Sequence, residues 1–193
     1  MRVSRLYGAL AGLTLLACDQ SQPLAPLSSA DPRVQRSVNL EQDDDGLGSA
    51  QGSWQADISG LIATYSLDAE VEQNGKGDGE FTFYADEGGG LIVDFDAKVT
   101  CLSIDPVNNR AWIGGKVKAN RSTDPDLMTK IHRPGHDIWF RVLDDPAGDR
   151  STFVGFEGSA GFITSADYCA GQPWPADNAR TWPVVQGGFT VQP

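Results

Sequence analysis

The stretch from Leu91 to Ala119 reads LIVDFDAKVTCLSIDPVNNRAWIGGKVKA, and it decides the fold. From Val93 to Cys101 apolar residues alternate with polar ones, which is the period of a strand with one buried face. The parity changes at Leu102, so we expect a β-bulge at this point. Residues 105–109 carry turn chemistry, and the alternation then resumes to Ala119, which predicts a hairpin.

The same period of two recurs at regular spacing along the chain. Asn74-Gly75, after an alternating run from Leu61, is the strongest short signal for a hairpin turn. Short turns between successive strands predict an antiparallel meander. We expect an all-β fold of seven or eight strands that closes as a small β-barrel, because closure removes exposed edges; a β-sandwich is the alternative. The other strands are expected at 81–85, 138–142, 152–156 and 184–191, with one helical turn at 126–130 and an irregular segment at 158–178.

The composition narrows the functional classes. The net charge of −11 argues against binding nucleic acid through charge, since that requires Lys and Arg. The chain has no Walker loop, no dinucleotide fingerprint and no CxxC motif, so we predict no cofactor.

The amino terminus has the layout of a secretory signal. Arg2 and Arg5 precede an apolar run over residues 6–16, which is too short to span a bilayer. The run ends in Leu15-Leu16-Ala17-Cys18, which resembles the lipobox of bacterial lipoproteins at all four positions. The resemblance implies cleavage before Cys18 and its lipidation, which would anchor the protein to the inner or the outer membrane of the bacterial envelope. An ordinary signal peptide with an incidental cysteine is the alternative.

Residues 18–53 are rich in Ser, Gln, Asp, Pro and Gly and show no apolar period. Such a segment cannot bury enough apolar area to offset the entropy of ordering, so we interpret it as a disordered tether. The predicted organisation is a signal peptide at 1–17, a tether at 18–53 and a single β domain at 54–193.

The hairpin itself carries a second resemblance. Val99–Gly115, which reads VTCLSIDPVNNRAWIGG, resembles a motif of secreted bacterial β-domain proteins of unknown function. The resemblance implies an extracytoplasmic β domain and brings no activity with it.

Three cysteines are present. With Cys18 assigned to lipid, Cys101 and Cys169 remain as a pair in an oxidising compartment, and we predict a disulfide between them. It would attach the irregular segment at 158–178 to the central hairpin and contribute about 4 kcal/mol in the chain-entropy model. Two buried free thiols are the alternative.

Two tryptophans form the candidate ligand surface. Trp112 and Trp139 fall on the polar parity of their strands, and exposed indoles can line a site for a sugar or a peptide. The alternative is that a loop or helix covers this face, so that both belong to a second small core. Trp174 and Trp182 lie among prolines later in the chain.

Few residues indicate catalysis. The pairs Asp94/Asp96 and Asp144/Asp145 could act as acid and base in a glycosidase, but solvated strand and turn positions explain them better. Ser159 lies in a sequence that only partly matches a nucleophile elbow, because Glu157 stands at the first glycine position. We assign no catalytic residue.

We assign no metal ligand either. His132 and His136 have the spacing of a helical zinc pair, but Pro134-Gly135 between them breaks a helix.

Two functional hypotheses follow. The first is a membrane-anchored extracytoplasmic lipoprotein whose non-enzymatic β domain binds a partner or a small ligand. The alternative is an envelope hydrolase that uses carboxylates in the mouth of the barrel.

Overall fold

The computed structural model describes residues 47–123, 132–175 and 178–193. The signal peptide, the lipobox with Cys18, most of the proposed tether and the helical turn expected at 126–130 lie outside the described residues.

The described chain contains nine strands, one short α-helix and one 3-10 turn at Ser159–Gly161. The strands are β1 (Ser49–Ile58), β2 (Leu61–Val71), β3 (Gly77–Gly88), β4 (Leu91–Asp105), β5 (Arg110–Asn120), β6 (Asp137–Leu143), β7 (Arg150–Thr152), β8 (Gly155–Phe156) and β9 (Thr181–Gln192). All are antiparallel, and β1 to β5 form the expected meander. The sheet closes because β5 pairs with β6 and β9 pairs with β1, while β8 pairs only with β6. The expected small β-barrel is confirmed, with eight strands in the closed wall.

The first strand begins inside the segment assigned to the tether. β1 starts at Ser49, and Ala50, Trp54 and Ala56 on its inner face are buried. A Cβ atom at Gly52 would lie 2.5 Å from the Cα atom of Phe189, so this strand needs a glycine to approach β9. Small residues occupy most of the inner positions, so the period-two signal is weak. β1 therefore begins five residues before the boundary predicted at residue 54.

Aromatic rings fill the barrel. Trp54 stacks on Tyr65 with 4.9 Å between ring centroids, and Phe83 stacks on Phe95 at 5.2 Å. These rings come from the alternating positions of neighbouring strands, so the pattern that predicts the strands also supplies the core.

The central hairpin has the expected bulge and disulfide. The pairing of β4 with β5 changes register between Val99 and Cys101, next to the predicted position. The sulfur atoms of Cys101 and Cys169 are bonded. A Cβ atom at Gly114 would lie 2.5 Å from the Cys101 Sγ atom, so the first glycine of the Gly-Gly pair makes room for this bond.

The α-helix, α1 (Ser165–Gly171), lies within the segment expected to be irregular. The Thr164 side chain accepts a hydrogen bond from the Asp167 backbone N–H, which is N-cap chemistry visible in the sequence. In the described part of the chain, no helix has the length and apolar character required to cross a bilayer.

One histidine is buried in the barrel. The imidazole of His132 is 2 % exposed and stacks on Phe95 at 4.9 Å. Neither ring nitrogen has a hydrogen-bond partner among the described residues. Burial therefore disfavours the charged form and lowers the pKa of His132 to about 4.

We expect this histidine to make folding pH-dependent. Below its ordinary pKa of 6.5, the unfolded chain binds a proton that folded His132 does not accept until about pH 4. The free energy of unfolding should therefore fall by about 3 kcal/mol as the pH is lowered from 6.5 to about 4. Below that pH, His132 should cause no further change. Urea unfolding from pH 8 to pH 4 measures the effect.

His132→Leu should remove this part of the pH dependence, because the substituted chain has no imidazole to protonate there. His136→Asn, at the only other histidine, is the matched control and should retain it. Parallel pH profiles for His132→Leu and the unsubstituted protein would show that burial of His132 has no such effect.

Candidate functional site

β7 is the shortest strand of the closed wall, and it completes the barrel between β6 and β9. From inside the barrel, the Trp54 indole donates to the Ser151 hydroxyl at 3.0 Å. The Tyr65 hydroxyl donates to the Thr152 carbonyl at 3.0 Å. Two core aromatics thus bind β7 through their polar ends, which is how buried Trp and Tyr side chains satisfy their donors.

The strand expected at 152–156 is interrupted at Phe153–Val154. β7 pairs with the carboxyl end of β6 and β8 with its amino end, and one extra residue separates the two registers. Thr152 pairs with Thr181 in the last pair between β7 and β9. Beyond this pair Phe153 and Arg180 are not paired, so the ladder between β7 and β9 ends here.

A cavity of about 350 Å³ lies at the end of this ladder. Most of its lining is aromatic, and the rings come from β6, β8, α1, β9 and the connecting loops. The aromatic side chains are Trp139, Phe153, Phe156, Tyr168, Trp174 and Trp182. We call this the aromatic cavity; its volume is at the lower end of the range for small-molecule sites.

Its charged and polar groups are few. In the described lining, Arg180 is the one charged residue. Its guanidinium carbon lies 4.8 Å from the centre of the Trp174 ring, which is a cation–π contact. The Ser159 Oγ atom accepts a hydrogen bond from the Phe156 backbone N–H at 2.8 Å and fixes the turn after β8.

The backbone around the cavity is strained. Ala160, Trp174 and Arg180 have φ angles of 55°, 55° and 59°, in the left-handed region that disfavours residues with a Cβ atom. Such residues cost about 1–3 kcal/mol each and are concentrated at functional sites, where the surrounding structure holds them.

Buried donors hold the loop that carries Trp174. The Trp112 indole donates to the Pro173 carbonyl at 3.0 Å. The guanidinium of Arg141, which has no exposed surface, donates to the carbonyls of Pro173, Trp174 and Ala179. These charge-assisted bonds outweigh the tendency of the loop to relax from its strained conformation.

The two predicted ligand-surface tryptophans are covered. Trp112 is 0 % and Trp139 is 2 % exposed, and both pack against Tyr168 of α1 in a second small core. Trp139 stacks on Tyr168 at 5.6 Å and also forms part of the cavity wall. Trp112 instead donates its hydrogen bond to the loop that carries Trp174. Trp112 and Trp139 therefore do not form an exposed ligand surface. The helix covers this face, and the two side chains belong to a second small core.

A buried carboxylate attaches α1 to the barrel. The Asp137 carboxylate accepts hydrogen bonds from the backbone and the hydroxyl of Ser165, at 3.0 and 2.6 Å, and from Lys116 at 2.7 Å. Burial alone would raise the pKa of Asp137, but the bonds from Lys116 and Ser165 outweigh it, and the pKa is lowered.

The acidic pairs are used structurally. Arg121 donates to both carboxylates of Asp94 and Asp96 at 2.7–3.1 Å. Its hydrogen bonds lower the pKa of Asp96, so this carboxyl is a poor general acid near neutral pH. Asp144 accepts from the Val191 backbone N–H.

The two histidines contact different residues and do not face a common site. His136 contacts Glu157 at 3.1 Å and Arg133 at 3.0 Å, whereas His132 is buried against Phe95. Among the described residues, no group of three or more His, Cys, Asp or Glu side chains is placed to hold a metal ion.

A wider groove lies beside the disulfide. Its volume is about 750 Å³, and it lies between β4, the β2–β3 turn and α1. Its side chains Lys98 and Asp78 pair with each other at 2.9 Å. Because these two charges are already paired with each other, the groove is a weaker candidate for a ligand site than the aromatic cavity.

No protein family, curated protein or solved structure matches this chain at a significant level. The function is therefore argued from the geometry of the site.

Sequence reasoning missed Arg180, Phe153 and Phe156. The late segment QPWPADNARTW, residues 172–182, does bring two tryptophans and an arginine together, and this local clustering was the available signal. At the break after Thr152, its carbonyl accepts a hydrogen bond from Tyr65, 87 residues earlier, and a local sequence pattern does not contain such a contact.

We expect Arg141→Met to destabilise this site. The substitution keeps an apolar stem but removes the charge-assisted hydrogen bonds to the carbonyls of Pro173, Trp174 and Ala179, so the free energy of unfolding should fall by about 3 kcal/mol. Limited proteolysis should then cut between residues 172 and 180. The matched control Arg133→Met, on an exposed side chain, should stay within about 0.5 kcal/mol of the original. Equal stability of the two variants would contradict the role of Arg141.

Proposed function

We propose that this chain is a bacterial lipoprotein, anchored to an envelope membrane through lipid on Cys18. Its extracytoplasmic β-barrel binds a small ligand in the aromatic cavity and catalyses no reaction. The lipobox Leu15-Leu16-Ala17-Cys18 supports the anchor, and the bond between Cys101 and Cys169 agrees with an oxidising compartment.

The observation that carries the binding function is the way the aromatic cavity is built. Trp174 and Arg180 are held in strained conformations at its edge, and the buried Arg141 binds the loop from below. A rigid, preorganised wall reduces the entropy lost when a ligand binds. Strain of this kind is not required to close the barrel, since β7 and β9 already pair over three residues.

The hydrolase alternative receives less support. A glycosidase needs two carboxyl groups about 5–10 Å apart around the bond to be cleaved. The described lining of the aromatic cavity contains neither Asp nor Glu. Asp94 and Asp96 are both bound by Arg121.

Lipidation has a direct test. Protein isolated from its native host should begin at Cys18 and carry the added mass of acyl chains, measured on its amino-terminal peptide. Cys18→Ala should release the protein from the membrane fraction, because about 0.8 kcal/mol per buried CH₂ is lost with each chain. An unmodified Cys18 thiol in the native protein would refute the anchor.

Ligand binding is tested on the full chain purified from the same host. Mass spectrometry of the small molecules that copurify should find a compound enriched with the original protein and depleted with Trp174→Ala, which removes a stacking surface from the cavity. Tyr84→Ala, at an exposed aromatic side chain on β3, is the matched control and should retain the compound. If all three proteins carry the same molecules, the aromatic cavity is not the binding site.

A further inference from the structure

We propose that the aromatic cavity selects a small, planar, apolar molecule bearing a carboxylate, and that Arg180 binds the carboxylate. This inference rests on the proposed function, because it names the ligand class of the same cavity.

The cavity walls favour a flat apolar body. Trp139, Trp174 and Trp182 supply broad ring faces, and Phe153 and Phe156 add apolar surface. Aromatic rings of a ligand prefer offset-stacked or edge-to-face contacts with such walls. A volume of about 350 Å³ admits one small molecule rather than a polymer chain.

The cation at the edge selects an anion. Arg180 is exposed, and its guanidinium lies over the Trp174 ring, so its planar face is already oriented. No Asp or Glu side chain among the described residues pairs with it. Its N–H donors are therefore available for the two oxygens of a carboxylate, in the bidentate geometry that Arg favours.

The rest of the described lining supplies no competing charge. The hydroxyl groups of the lining belong to Thr152, Ser159 and Tyr168. The Thr152 and Ser159 oxygens already accept hydrogen bonds from the backbone N–H groups of Arg141 and Phe156. A neutral ligand would leave Arg180 without an anionic partner. A carboxylate opposite Arg180 thus gives the cavity both its polar contact and the orientation of the bound ring.

The test compares two probes of nearly equal shape. Naphthalene-2-carboxylate and naphthalene-2-methanol are titrated by calorimetry into the full chain held in lipid nanodiscs, with the signal of empty nanodiscs subtracted. The carboxylate should bind about tenfold more tightly than the alcohol. Arg180→Gln should abolish that preference, whereas Arg180→Lys should retain part of it. Arg133→Gln, which makes the same charge change at another exposed arginine, should leave the preference unchanged.

The outcomes separate the two proposals. Equal affinity for acid and alcohol, lost in Trp174→Ala, would overturn the carboxylate inference and leave the proposed function standing. A preference for the acid that persists in Arg180→Gln would overturn the assignment of Arg180. Failure of both probes to bind would overturn the inference, whereas the proposed function fails only if Trp174→Ala and the original protein carry the same copurifying molecules.

Discussion

The Tyr65 hydroxyl donates a hydrogen bond to the Thr152 carbonyl at the residue where the closing strand ends, and so ties that end to the barrel core. A barrel needs a continuous wall of paired strands. The Thr152 carbonyl accepts its hydrogen bond from Tyr65 at the last residue of β7 that pairs with β9. Three residues of β7 are enough to close the sheet against β9. Beyond them the chain no longer pairs with β9, and the aromatic cavity lies at this end of the ladder. The site is thus a consequence of how the barrel closes.

Hydrogen bonds and the disulfide fix the elements around the aromatic cavity. Asp137 attaches α1 to the barrel, and the disulfide from Cys169 to Cys101 fixes the same helix to the central hairpin. Trp112 and Arg141, on neighbouring strands, hold the loop that presents Trp174. Buried polar groups with their hydrogen bonds made rigidify a structure, and here they offset the strain of the loop.

The regular part of the fold could be predicted from alternation and turn chemistry. Leu61 to Val71 and the hairpin around Cys101 alternate strongly because large apolar side chains face the core. β1 was missed because Ala50, Gly52 and Ala56 give little contrast with their polar neighbours. At the site, the alternation predicts that Trp112 and Trp139 face away from the barrel core, but their cover by α1 depends on contacts distant in sequence. The sequence brings Arg180 close to Trp174 and Trp182, but an exposed arginine in a loop does not by itself indicate a ligand contact.

The most direct test of a ligand cavity at the end of β7 is an NMR titration that follows the five tryptophan indole N–H signals. Naphthalene-2-carboxylate is added to the ¹⁵N-labelled full chain in nanodiscs. The signals of Trp174 and Trp182 should shift with one common dissociation constant, whereas that of Trp54, bonded to Ser151 inside the barrel, should not. A shift of the Trp54 signal alone, or unchanged signals for Trp174 and Trp182 at saturating probe, would contradict the account.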